Sequence, residues 1–75
     1  MKELVEYIAK SLVDDPSQVT VSEVGGASSI IIELHVAPPD MGRVIGRGGR
    51  VANAMRTLIR VAAAKEGKRV TLEIV

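Results

Sequence analysis

Seventy-five residues with three prolines, no cysteine and 47% apolar content point to one small soluble domain spanning residues 1–75, with a core worth no more than about 3–5 kcal/mol net. Without cysteine there is no disulfide, thiolate nucleophile or cysteine-held metal. The lack of any long apolar run and the charges at Lys2, Glu3, Glu6 and Lys10 do not suit a membrane span or a signal peptide, so a cytoplasmic location is expected.

Net charge +1 conceals an asymmetry. Residues 1–40 hold two basic and seven acidic side chains, whereas residues 41–75 hold eight basic and two acidic ones. Five arginines and no acid lie between Met41 and Arg60, a single-sign block of the kind that attracts a polyanion. Tyr7 is the only aromatic residue, which argues against modules that stack bases on aromatic rings.

In chain order, Lys2–Val13 reads as an amphipathic helix with Leu4, Val5, Ile8, Ala9 and Leu12 on one arc and a weak Glu6–Lys10 pair opposite. Asp14, Asp15 and Pro16 stop it, because proline disfavours helical geometry in the residue before it. Val19–Val24 alternates as a half-buried strand, and Gly25 to Ser29 supply a loop that returns the chain antiparallel. A second strand from Ile30 places Ile30, Ile32, Leu34 and Val36 inward and Ile31, Glu33 and His35 outward. Lone His35 has no visible catalytic or metal-binding company.

Pro38 and Pro39 end that strand and offer Asp40 as N-cap of a short helix over Met41–Ile45. A longer helix is expected from Arg50 to Glu66, with Val51, Ala54, Met55, Leu58 and Ala62 as its core stripe and Gly67 as its stop. Val70, Leu72 and Ile74 then alternate in a third strand. The order αββααβ, with one polar face per strand, predicts an α+β fold. Helices should cover one side of a three-stranded sheet whose last two strands are parallel.

The distinctive segment is Gly42-Arg43-Val44-Ile45-Gly46-Arg47-Gly48-Gly49-Arg50-Val51. Glycine before a helix suits phosphate, since backbone N–H groups approach an anion closely at the positive helix end. A Walker A loop needs a Gly-Lys-Ser/Thr ending that is missing, and Val51 stands where a dinucleotide fingerprint wants its third glycine. No triad or metal cluster is apparent, so neither an enzyme nor a cofactor or small-molecule substrate is expected. The remaining device is a Gly-x-x-Gly turn, Gly46-Arg47-Gly48-Gly49, between two helices. Such a turn lays its backbone against the sugar-phosphate chain of a single strand.

Val44-Ile45-Gly46, the turn and Val51 complete a Val-Ile-Gly-x-x-Gly-x-aliphatic signature. On these residues the chain resembles a type II KH domain and, more narrowly, the small stand-alone bacterial KH proteins of the KhpA/YlqC family, over essentially its whole length. The resemblance implies single-stranded RNA binding of broad sequence tolerance and a post-transcriptional role. It also implies action as a homodimer or beside a larger KH-containing bacterial partner. Gly46 and Gly49 would give the turn its freedom, Arg43, Arg47 and Arg50 would meet phosphates, and Val44, Ile45 and Val51 would line or support an aliphatic groove. Gly48 departs from the often polar or basic turn residues, and its extra flexibility is expected to weaken binding.

A different reading makes the chain chiefly a protein-interaction subunit. It rests on an apolar shoulder of the long helix, Ala52, Ile59 and Ala63, with Arg56 and Arg60 on the outer face.

Overall fold

Period-two alternation in three segments yields the three strands, and the helices fall between them as the αββααβ order requires. In the computed structural model, which describes all residues from Met1 to Val75, helix α1 spans Lys2–Leu12, strands β1 and β2 span Thr20–Gly25 and Ser29–His35, helices α2 and α3 span Met41–Ile45 and Arg50–Lys65, and strand β3 spans Arg69–Ile74. The sheet order is β1-β2-β3. β1 runs antiparallel to β2 with Val21 opposite Leu34, and β3 runs parallel to β2 with Leu72 opposite Ile32.

Ile32 and Leu34 on the central strand are fully buried, flanked by buried Val21 and Leu72, while Ser22, Ile31, His35, Thr71 and Glu73 are exposed. One sheet face is therefore covered by helices and the other is open, the α+β type II KH arrangement with its mixed sheet. α1 closes its part of the core with buried Val5 and Ala9, and its Lys10 Nζ stands 3.3 Å from Glu6 Oε1 as the spacing predicts.

Two single 3-10 turns escaped the periodicity, Pro16–Gln18 and Pro38–Asp40. The first is fastened locally: the Ser17 hydroxyl and the Gln18 amide donate to the Asp15 carboxylate and hold its pKa below the usual carboxylate value. The second delivers Asp40, whose role differs from the expected one. Asp40 does precede α2, but its side chain makes no cap bond to that helix. It is buried instead, and its two oxygens accept the backbone N–H groups of Asp14 and Asp15 at 3.2 and 3.1 Å. The carboxylate thereby satisfies the chain leaving α1, at a sequence distance no local motif reveals.

The stripe of α3 also needs correction. The helix is apolar on almost every side, so several arcs compete. The buried one is Ala52, Met55, Ile59 and Ala63, whereas Ala54 and Leu58 are exposed and Val51 and Ala62 are half-buried. Ala52, Ile59 and Ala63 therefore belong to the monomer's own core and form no partner surface. Met55 and Ile59 explain the choice: they are the two largest side chains of that arc, 2% and 1% exposed. Burying each against the sheet contributes about 1.5–3 kcal/mol.

Candidate nucleic-acid interface

The backbone between α2 and α3 turns on three left-handed or glycine-only conformations. Gly46 has φ 76° and ψ 170°, Gly48 has φ 64°, and Gly49 has φ 80°. Gly46 cannot be replaced cheaply, because a Cβ there would lie 2.5 Å from Val51 Cγ2 and 2.8 Å from the Val51 nitrogen. Gly48, by contrast, faces open space. Its glycine matches the left-handed φ the turn requires, so the residue that departs from the common pattern suits the local backbone.

Arg47–Gly49 makes one 3-10 turn that runs into α3, and no side chain caps the first turn of α3. The Gly49 and Arg50 N–H groups donate within the turn, to the Gly46 and Arg47 carbonyls, while the positive end of the α3 dipole there has no side-chain cap. Arg47 and Arg50 flank it, exposed and outside every ion pair of the structure.

Arg43 stands apart. Its Nη2 lies 3.1 Å from Asp14 Oδ2 and its Nε 4.0 Å from Asp40 Oδ1, so two acids from outside the glycine segment already engage it. The aliphatic residues also divide: Val44 is wholly buried, Val51 is half-buried against Gly46, and Ile45 is 39% exposed beside the turn. Val44 and Val51 support the turn, and only Ile45 offers much apolar surface there.

A cleft of about 390 Å³ runs between α3 and β3. Arg56, Arg60 and Ala64 form its helix wall, Val70, Thr71 and Leu72 its strand wall, and Lys68 and Arg69 its far end. β3 pairs only with β2, so its outer backbone edge is open to this cleft. Arg56 bridges the two walls by donating its Nε–H to the Leu72 carbonyl oxygen at 3.2 Å. Arg56 and Arg60 are therefore cleft residues, where an outer-face position was expected.

The missed signal was positional: once Ala52, Met55, Ile59 and Ala63 are inside, residues 56 and 60 fall at the edge of the buried stripe, beside the sheet. Gly49, Asn53, Arg56 and Arg60 follow one another at intervals of four, three and four, which carries one helix face from the turn into the cleft. Chemically the interface offers backbone N–H groups, guanidinium forks and a few aliphatic patches, with no acid lining it.

A family model described as KhpA/KhpB, KH domain matches residues 2–74. The chain belongs to the KhpA/KhpB KH-domain family. It is 64% identical to the RNA-binding protein KhpA of Clostridium acetobutylicum over 75 residues, covering all of both chains. It is 61% identical to the protein of the same name in Clostridium perfringens, again over the full length of both. The Aquifex aeolicus RNA-binding protein KhpA is 47% identical over 74 residues, 99% of this chain and 94% of that one. No solved structure matches. In this KH domain the Gly-x-x-Gly turn and the α3–β3 cleft lie along one helix. No helix is long and apolar enough to cross a membrane.

Proposed function

We propose that this KH domain is a non-enzymatic binder of single-stranded RNA. Its Gly46–Gly49 turn holds the sugar-phosphate backbone while the bases lie along the α3–β3 cleft. One observation carries the reading: Arg47, Arg50, Arg56 and Arg60 follow α3 from the turn into the cleft with no acid paired to any of them. The RNA-binding name of its full-length relatives supports the same ligand. Arg47 and Arg50 meet phosphates, Gly46, Gly48 and Gly49 admit the backbone, and Ile45 and Val70 give the bases aliphatic contact. Arg43 is left out of the contact set because Asp14 and Asp40 hold it.

Backbone and aliphatic contacts of this kind tolerate many sequences, which suits a post-transcriptional role on varied RNAs. With three or four phosphates neutralised, the log–log salt slope is about −2 to −3. Changing Arg47 and Gly48 together to Asp, in a variant whose circular dichroism is unchanged, abolishes RNA retardation. Retained affinity in that folded variant removes the turn from the mechanism.

A protein-interaction role has one specific support. Leu58 and Val61 on α3 are 58% and 52% exposed, beside exposed Ala54, an apolar strip away from the cleft arginines. A second copy or a larger KH-containing partner would use this strip, with Ala52, Ile59 and Ala63 excluded. Light scattering of Leu58→Asp against the unaltered protein tests it: equal mass at high concentration rules out self-association through the strip. Association of this kind would raise RNA affinity through effective concentration.

A further inference from the structure

Beyond the end of α3 lies a recess of about 440 Å³ lined only by Ser28, Ser29, Gly67, Lys68 and Arg69. It shares Lys68 and Arg69 with the α3–β3 cleft, so the two hollows adjoin. We propose that this recess is a second backbone-phosphate site, which extends the RNA track past the nucleotides clamped by the glycine turn. The proposal rests on the RNA reading above and adds to it a locus on the opposite end of the same helix.

The recess is built by backbone bonds that leave its polar side chains unused. Gly67, at φ 69°, closes α3 while the Gly67 and Lys68 N–H groups donate to the Ala64 and Ala63 carbonyls at 3.0 and 2.9 Å. The Arg69 N–H donates to the Ser28 carbonyl at 2.8 Å and thereby ties the start of β3 to the β1–β2 loop. No side-chain hydrogen bond engages the Ser28 or Ser29 hydroxyl. Arg69 has no ion pair, and the one acid near Lys68 is Glu66, 3.9 Å away with both side chains exposed, a contact of little strength.

The ligand class follows from this donor set. Two cations and two hydroxyls with no apolar lining fit a phosphate, while a base would want an aliphatic or aromatic surface. The C-terminal end of the α3 dipole opposes an anion here, but it amounts to about half a negative charge against two full positive ones. Adjacency to the α3–β3 cleft favours RNA over an acidic protein segment. From Gly49 to Ala64 the same helix face runs about 22 Å, at 1.5 Å per residue, and the four nucleotides of the clamp begin at its other end.

Fluorescence anisotropy with labelled oligouridylates of four and ten nucleotides tests the site in the full chain. Lys68→Ala combined with Arg69→Ala leaves four-nucleotide binding within about twofold, weakens ten-nucleotide binding about tenfold and lowers the salt slope on the longer RNA by about 0.7, the share of one phosphate. Lys68→Arg with Arg69→Lys restores the longer RNA. Equal losses on both lengths, which mean general electrostatics, overturn the proposal; so does no loss on either, which leaves the recess to an acidic protein segment. The Arg47→Asp, Gly48→Asp variant tests the turn separately, because it loses the four-nucleotide RNA if the primary reading holds and keeps it if that reading fails.

Discussion

At the entry to α2, both charged side chains are engaged by the fold: the buried Asp40 carboxylate accepts the backbone N–H groups of Asp14 and Asp15, and the exposed Arg43 guanidinium bridges Asp14 and Asp40. At the exit, five residues later, Arg47 and Arg50 have no acidic partner and the local conformation is set by glycine backbone. Both segments are charged and both flank the same short helix, yet one charge set is paired within the fold and the other is left without an acidic partner. Proximity in sequence therefore says little about the use of an arginine; what matters is whether the fold brings an acid to it.

The sharpest way to break this contrast is to alter the exit where its backbone is tightest. Gly46→Ala places a residue in a conformation that is essentially glycine-only, at a cost of about 1–3 kcal/mol. It also drives Cβ into Val51 at 2.5 Å. The sum approaches the whole stability of so small a domain, and the expected result is loss of the cooperative melt. Gly48→Ala meets open space and carries only the left-handed penalty of about 1–2 kcal/mol. Similar melts for the two variants would show that the turn is not held as described.

Next in size is the entry. Asp40→Ala leaves the part-buried Asp14 and Asp15 N–H groups without their acceptor, a loss of about 1–3 kcal/mol, or roughly 4–8 °C in Tm for each kcal/mol in a domain of this length. Asp40→Asn, which retains one acceptor oxygen, falls between. RNA affinity of the folded fraction stays unchanged, since no bond from Asp40 reaches the turn. A drop in affinity without a drop in Tm would reverse the assignment.

What the sequence revealed, and what it hid, follows the same division. Strand alternation identified Ile32, Leu34 and Leu72 as inward residues because a period of two leaves only two choices, one of them polar. The Gly46–Gly49 turn was legible because glycine at those offsets has few other uses. α3 was not, because Ala, Val, Leu and Ile surround it and several arcs fit equally well. The wrong arc put Ala52, Ile59 and Ala63 on the surface and Arg56 and Arg60 outside the cleft. An Ile59→Asp test of association would accordingly bury a charge in the core and unfold the domain. The part played by Asp40 was hidden for a different reason, since its partners Asp14 and Asp15 lie 26 and 25 residues away, and the Asp14 partner of Arg43 is as remote in sequence.

The smallest expected effect is the most discriminating. Arg43→Ala removes the exposed ion pair with Asp14, worth at most about 1 kcal/mol, and the longer 4.0 Å contact with Asp40, and it removes no phosphate contact, so the salt slope of RNA binding stays where it was. Arg47→Ala and Arg50→Ala do the opposite: each leaves the melt unchanged, having no intramolecular partner to lose, and each flattens the slope by about 0.7. Three arginines within eight residues, alike in composition and near one another in space, are separated by one pair of measurements. If Arg43→Ala flattens the slope as much as its neighbours do, then the Asp14 and Asp40 contacts yield to RNA, and the entry to α2 is part of the interface after all.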